Sequence, residues 1–232
     1  MVEIQYKNAN VKLGPEALVY EPAEDSFLLA DAALKELGES GEAEKLRKSG
    51  EFKENEEAEK FREWGKFKPE KRVLEVGAGS GFVSAVLRAN NPAVRVLATE
   101  INPYAALCAK ENGVEVIRTD MFKGLKSGGT DGLFDLILFN PPYLPTSEEE
   151  RVSGWLNYAF DGGISGRETL DRFLDEVKKY LRPGGKVLVL ISSITGVEEV
   201  GKKMEGLGFK VEIVGRKKVS FEELLVVRGR IL

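Results

Sequence analysis

Glu75-Val76-Gly77-Ala78-Gly79-Ser80-Gly81 is the stretch on which the fold turns: it follows the apolar run Arg72 to Val76 and precedes a helix-like pattern from Phe82 to Ala89. Glycines at a strand-to-helix turn let the backbone bend sharply and approach a ligand with no Cβ in the way. Dinucleotide enzymes use such turns too, but their G-x-G-x-x-G spacing is not met here, because Phe82 stands where the third glycine would fall. Glu75, two residues before the first glycine, can accept hydrogen bonds from an ammonium group. A ligand with a zwitterionic amino-acid end and no phosphate therefore suits this loop better than a pyrophosphate does.

Working outward, apolar runs at Val94 to Thr99, Val114 to Ile117, Leu133 to Phe139, Lys186 to Ser192, Phe209 to Val214 and Leu224 to Val227 read as strands. Helix-like patterns lie between them at Tyr104 to Glu111, Leu170 to Leu181 and Val197 to Leu207, with Arg182-Pro183-Gly184-Gly185 as a turn. Strands regularly separated by helices imply an α/β fold with a mostly parallel sheet covered on both faces. The last two strands read as a hairpin that adds an antiparallel pair. Upstream, Glu24 to Leu37 is a helix candidate, with Pro22 ahead of it and acids in its first turn. Residues 38–68 change character, rich in Glu and Lys and punctuated by Gly38, Gly41 and Gly50. Phe61, Trp64 and Phe67 fall there at three-residue spacing, so a solvated helical insertion with a small apolar face is expected, or else a docking surface. One domain is the economical reading, with an N-terminal segment over 1–37, a charged insertion over 38–68 and a core over 69–232.

Two acids extend the ligand reading. Glu100 ends the second strand, 19 residues after Gly81, close to the roughly 20 expected for an acid that holds ribose hydroxyls. Asp120 follows the third strand in Thr119-Asp120-Met121-Phe122. Alone it reads as a helix N-cap; in this company it reads as a partner for an adenine amino group, with Met121 packing on the ring.

Bulk properties narrow the chemistry. The 232 residues are 42% hydrophobic and 31% charged, with a formal charge of −4. This is a globular composition, not one built to coat nucleic acid. No apolar run approaches a membrane span and no secretory signal is evident, so a cytoplasmic location without membrane association is expected. Cys108 is the only cysteine, which rules out an internal disulfide and a Cys-based metal cluster, and no metal site is expected. Histidine is absent, which removes the usual base near neutral pH.

Asn140-Pro141-Pro142-Tyr143 follows the fourth strand, where ligands meet the carboxyl ends of a doubly wound sheet. Asn-Pro alone is usually a turn. Here, a rigid turn offers two acceptors, the Asn140 side-chain oxygen and the Pro141 carbonyl, to a planar NH₂ whose lone pair is delocalised. Such acceptors polarise the nitrogen and hold it at a near-attack distance of about 3–3.5 Å, while Tyr143 stacks on the flat group. No base is needed before transfer. A lysine ammonium, which must first lose a proton and is not planar, fits less well.

Taken together, these blocks resemble the HemK-type protein-glutamine methyltransferases, in the archaeal and eukaryotic branch that acts on class I release factors. The resemblance runs from Val19-Tyr20-Glu21-Pro22-Ala23-Glu24-Asp25-Ser26-Phe27-Leu28-Leu29 through the loop at 74–81, Ile101-Asn102-Pro103, Thr119-Asp120 and Leu138 to Tyr143. It continues in Gly162-Gly163-Ile164-Ser165-Gly166-Arg167-Glu168 and Asp171-Arg172-Phe173. It implies a Rossmann-like class I fold of seven strands, mostly parallel with an antiparallel last strand. It also implies S-adenosyl-L-methionine as cofactor and the glutamine of a Gly-Gly-Gln loop as substrate. Ser26, Glu75, Gly77, Gly79, Gly81, Glu100, Asp120, Met121 and Asn140 are then the expected cofactor contacts, and Asn140, Pro141, Pro142 and Tyr143 the catalytic turn. A small zinc-binding activator subunit that adds a strand at a sheet edge is implied as well, with Val114 to Arg118 as the candidate edge. The family usually carries Asp where Glu100 stands. Two rival readings stay open: a methyltransferase of base amino groups in DNA or RNA, for which the same turn suits a flipped base, and a cofactor-binding scaffold without chemistry.

Overall fold

The computed structural model describes residues 2–15, 18–38, 71–127, 129, 132–147, 149 and 154–231. The expected charged insertion, with Phe61, Trp64 and Phe67, falls almost wholly outside these residues. The chain opens with strands β1 (Glu3–Tyr6) and β2 (Ala9–Lys12), paired antiparallel. Helix α1 (Glu24–Leu37) follows, then β3 (Lys71–Val76), α2 (Phe82–Asn90), β4 (Val94–Glu100), α3 (Pro103–Glu111), β5 (Glu115–Arg118) and β6 (Phe134–Phe139). The second half holds α4 (Glu168–Val177), β7 (Leu181–Ser192), α5 (Val197–Gly206), β8 (Phe209–Lys218) and β9 (Glu223–Ile231).

Among the described residues, seven strands form one sheet in the order β5-β4-β3-β6-β7-β9-β8. The pairs from β5 through β7 are parallel, and β9 runs antiparallel to both neighbours. This is the expected sheet. Its faces are covered by different helices. Val73, Leu136, Leu138, Leu188 and Leu190 join α1, α2 and the β2 residue Val11 in one core. Leu74, Ile137, Phe139, Val187 and Val189 join α4 and α5 in the other. The alternation along each strand is the period-two pleat, and burial on both sides explains why these strands read as unbroken apolar runs. Helix α4 buries Leu170, Phe173, Leu174 and Val177, the one-faced spacing of an amphipathic helix.

The structure corrects two expectations. The fifth strand starts at Leu181, not Lys186. Leu181 pairs with Phe134 and Lys186 with Leu136, so Arg182 to Gly185 form a bulge within β7. Helix α4 accordingly stops at Val177, and one 3₁₀ turn (Lys178–Tyr180) leads into the strand. The β1–β2 hairpin was not anticipated. Its strands are four residues each, and Lys7 at its turn has φ 51°, which the sequence does not advertise with a glycine.

Register explains why one end of the sheet carries the site. Val76 pairs with Thr99 on one side and with Phe139 on the other. Gly77, Glu100 and Asn140 are the next residues, so they emerge together where the strand order reverses around β3. This is the crevice in which doubly wound sheets bind ligands.

Candidate active site

A cavity of about 780 Å³ opens there, lined by residues after β3, β4, β5 and β6, by the start of α1, and by Trp155 to Asp161. Ser26, Glu75, Gly77, Gly79, Glu100, Asp120, Met121, Asn140, Pro141, Pro142 and Tyr143 all line it. Gly81 does not. An added Cβ there would meet Val114 and the Ala109 backbone at 2.9 and 3.0 Å, with φ at +78°. Its bareness serves the packing of the α2 entry against α3, not a ligand.

Glu75 is buried and accepts hydrogen bonds from the Ser84 amide (2.9 Å) and hydroxyl. Burial pushes its carboxyl up to about 7, beyond what the Ser84 donors offset, and Glu100 adds to the rise. Glu100 ties the cofactor loop to the end of β4, since its carboxylate accepts from the backbone N–H groups of Gly79 (2.7 Å) and Asn102 (2.8 Å). Burial raises its pKa despite these donors. Asp120 caps no helix. It lies in a turn and pairs with Lys123 (2.8 Å) and Arg172 (3.0 Å); burial works against its ionisation, but the two cations hold it below the usual carboxylate range. Met121 beside it has φ 49°, a left-handed backbone that a non-glycine residue adopts at a cost of about 1–3 kcal/mol and that clusters at functional sites.

The Asn140 side chain donates from Nδ2 to Asp25 Oδ2 at 3.0 Å, while its Oδ1 is buried with no donor among the described residues. Pro141 and Pro142 are both buried and Tyr143 is half-buried. Burial raises the Tyr143 pKa, as do Asp25 and Glu222, so the phenol stays protonated. The stretch after this turn is braced by the glycine-rich loop at 162–166. Leu144 N–H donates to Phe160, Gly162 N–H to Leu144 and Thr146 N–H to Gly163, at 2.9–3.1 Å. Gly166 sits so close that a Cβ would lie 2.7 Å from the Tyr143 carbonyl oxygen.

Sequence reading missed Asp25, Tyr20, Arg172 and Glu222. Asp25 is buried and bonded to Tyr20, Ser26 and Asn140. Glu222, on the β8–β9 turn, lines the cavity and accepts from the Ser192 hydroxyl. Tyr20, Asp25 and Arg172 fall within blocks that carry the resemblance, but the contacts that bring Asp25, Arg172 and Glu222 to the cavity reach partners 30 to 115 residues away, which no local pattern marks. Among the described lining residues there are seven carboxylates and one arginine, a field that attracts cations and repels phosphate.

Residues 62–155 match the family model of the methyltransferase small domain. A Methanocaldococcus jannaschii protein, assigned by name to the protein N5-glutamine methyltransferases, is 42% identical over 232 residues, covering 97% of this chain and 98% of the relative. The chain belongs to the HemK-type protein-glutamine methyltransferases. The catalytic subunit of the eRF1 methyltransferase of Schizosaccharomyces pombe, mtq2, is 28% identical over 229 residues, covering 90% of this chain and 88% of that one. In fold, this HemK-type chain is similar to the solved E. cuniculi Mtq2–Trm112 complex, responsible for methylation of the eRF1 translation termination factor. The TM-score is 0.62 at 23% identity, over 92% of this chain and 99% of the other.

The cofactor of this HemK-type enzyme is S-adenosyl-L-methionine, and the cavity fits it. The volume lies within the usual range for a cofactor site. The enclosed Glu75 carboxylate lacks a cation among the described residues that bond it. A ligand carrying an ammonium and a sulfonium charge matches the excess of acids.

Proposed function

We propose that this enzyme methylates the side-chain amide nitrogen of the glutamine in the Gly-Gly-Gln loop of a class I release factor. One observation carries the reading: Asn140 presents, at the turn that follows β6, a buried oxygen that meets no donor among the described residues. An unmet acceptor sealed from water costs free energy until a donor reaches it. A substrate NH₂ supplies that donor, and the Pro141 carbonyl is the second acceptor. When bound, S-adenosylmethionine supplies an electrophilic methyl on sulfur. Glu75 pairs with the cofactor's ammonium group, Glu100 with the ribose, and Asp120 and Met121 with the adenine, while Gly77 and Gly79 let the backbone come close. Ser26, at the start of α1, makes residues 1–37 a segment that closes over the cofactor, within a single domain that spans 1–232. Asn140 and Pro141 orient the flat amide and oppose the positive charge that develops on its nitrogen, Pro142 stiffens the turn, and Tyr143 packs on the amide face. As the N–CH₃ bond forms the S–CH₃ bond breaks, the sulfur leaving as a neutral thioether, and one N–H proton then passes to water from a nitrogen that transfer has made acidic, so a chain without histidine suffices.

A macromolecular substrate is supported by the rim, where Tyr158, Phe160 and Ile164 are exposed. The acidic lining disfavours a nucleic acid. The eRF1 named for the relatives supports the same reading, and a translation factor as substrate supports a cytoplasmic location.

A small zinc-binding activator is the second partner we infer. Among the described residues β5 is the last strand on that side of the sheet, and Ile117 on it and the nearby Tyr104 and Leu107 are exposed. A strand added there would cover the edge and the patch together.

Asn140→Ala tests the central role. Turnover is expected to fall roughly 10²- to 10³-fold, read as label transferred from the cofactor to the release factor. Turnover at the wild-type rate would remove the mechanism.

A further inference from the structure

We propose that Asp25 is a positioning residue that, held by Tyr20, decides which end of the Asn140 amide faces the substrate. The proposal rests on the reading of Asn140 given above.

An amide side chain has nearly the same shape either way round, yet one end only donates and the other only accepts. Some neighbour must choose. Asp25 is the neighbour that can, because both of its carboxyl oxygens act as acceptors, Oδ1 from Ser26 and Oδ2 from Tyr20. Its Oδ2 lies 3.0 Å from Asn140 Nδ2. Were the amide reversed, Oδ1 would press on that carboxylate oxygen in a buried space, and a donor would be left where an acceptor is required. The reversed state carries the cost of a lost hydrogen bond and a repulsive contact between two acceptor oxygens.

Asp25 is itself fixed on every side. Its Oδ1 accepts from the Ser26 amide (2.6 Å) and hydroxyl (3.2 Å), and Oδ2 also accepts from the Tyr20 hydroxyl at 3.0 Å. The Tyr20 ring meets Phe160 edge-on, with centroids 5.5 Å apart, which ties it to the segment braced against the catalytic turn. A first-turn acid that merely favoured the helix dipole would sit in solvent. Asp25 is 4% exposed and reaches across 115 residues of sequence. Helix α1 thereby orients the catalytic amide as well as lining the cavity.

The test is a mutant cycle on the full chain, read by methyl transfer to a release factor. In Asp25→Asn the neighbour can donate or accept, so the choice of amide orientation is lost with little change of shape. kcat should fall by about 100-fold, the scale of a small misplacement, with KM for the release factor little changed. Tyr20→Phe should give a smaller, several-fold loss. Neither change should slow Asn140→Ala any further, because both act through Asn140. Wild-type turnover in Asp25→Asn, or a loss that multiplies with that of Asn140→Ala, would overturn the proposal. If Asp25→Asn does not fold, Tyr20→Phe decides by the same two criteria. Wild-type turnover in Asn140→Ala would instead bring down the function reading itself, so the two failures are distinct.

Discussion

Glu75 shows how a single enclosed carboxyl links stability to cofactor. Its ordinary value is 4.5, and burial pushes it up to about 7 in the folded chain. A raised folded-state value means that the stability it contributes is complete below 4.5 and lost as pH rises through about 7. Without cofactor, the thermal midpoint should therefore decline across that window, and Glu75→Gln should flatten the decline. Because an ammonium pairs with the ionised form, S-adenosylmethionine should raise the midpoint more at pH 8 than at pH 5, by mass action on the folded state. An equal rise in wild type and Glu75→Gln at both pH values would refute the pairing. The positions of Glu75, Glu100 and Asn140 at one end of the sheet were legible in the sequence, because Glu75 precedes Gly77 at the end of one apolar run, Glu100 closes the next, and Asn140 precedes two prolines after the fourth. Asp25 looked like any first-turn acid, since the contact that gives it meaning lies far away along the chain.

The glycines of the β3–α2 turn divide their labour, which only the packing of elements reveals. Gly79 lines the cavity, and an added Cβ would meet no atom of the chain within 4 Å, although φ is +56°. Gly81 faces α3 and the start of β5 at contact distance. Gly79→Ala should cost roughly 1–2 kcal/mol of backbone strain and weaken cofactor binding. Gly81→Ala should cost more, about 2–4 kcal/mol, because strain and overpacking combine. Chemical denaturation with cofactor titration checks both; equal losses of stability would show that the α2–α3 contact is softer than described. At this scale, period and strand spacing announced the parallel sheet. The bulge in β7 escaped notice because Arg182-Pro183-Gly184-Gly185 carries the chemistry of a free turn, and pairing with β6 alone reveals that the strand resumes across it. The first hairpin escaped because strands of four residues are too short for alternation to stand out.

Across the whole molecule, the cavity lies at one end of the sheet, and among the described residues the sheet ends on one side at β5. Exposed Leu107 and Ile117 sit beside the terminal strand β5, away from the lining of the cavity. Leu107→Glu with Ile117→Glu should abolish association with the small subunit inferred above, co-expressed with the chain, while leaving cofactor affinity near that of wild type. Unchanged association, measured by size-exclusion with light scattering, would put the partner elsewhere. The identity of the methylated atom belongs to this scale too, because the proposed substrate is a whole protein. The most direct measurement is peptide mapping by mass spectrometry of a class I release factor after incubation with the enzyme and labelled S-adenosylmethionine. One methyl group on the Gly-Gly-Gln glutamine is expected, and no incorporation when that glutamine is alanine. Label that persists in the alanine variant, or that appears on a lysine or on nucleic acid instead, would contradict an active site built to hold a planar amide.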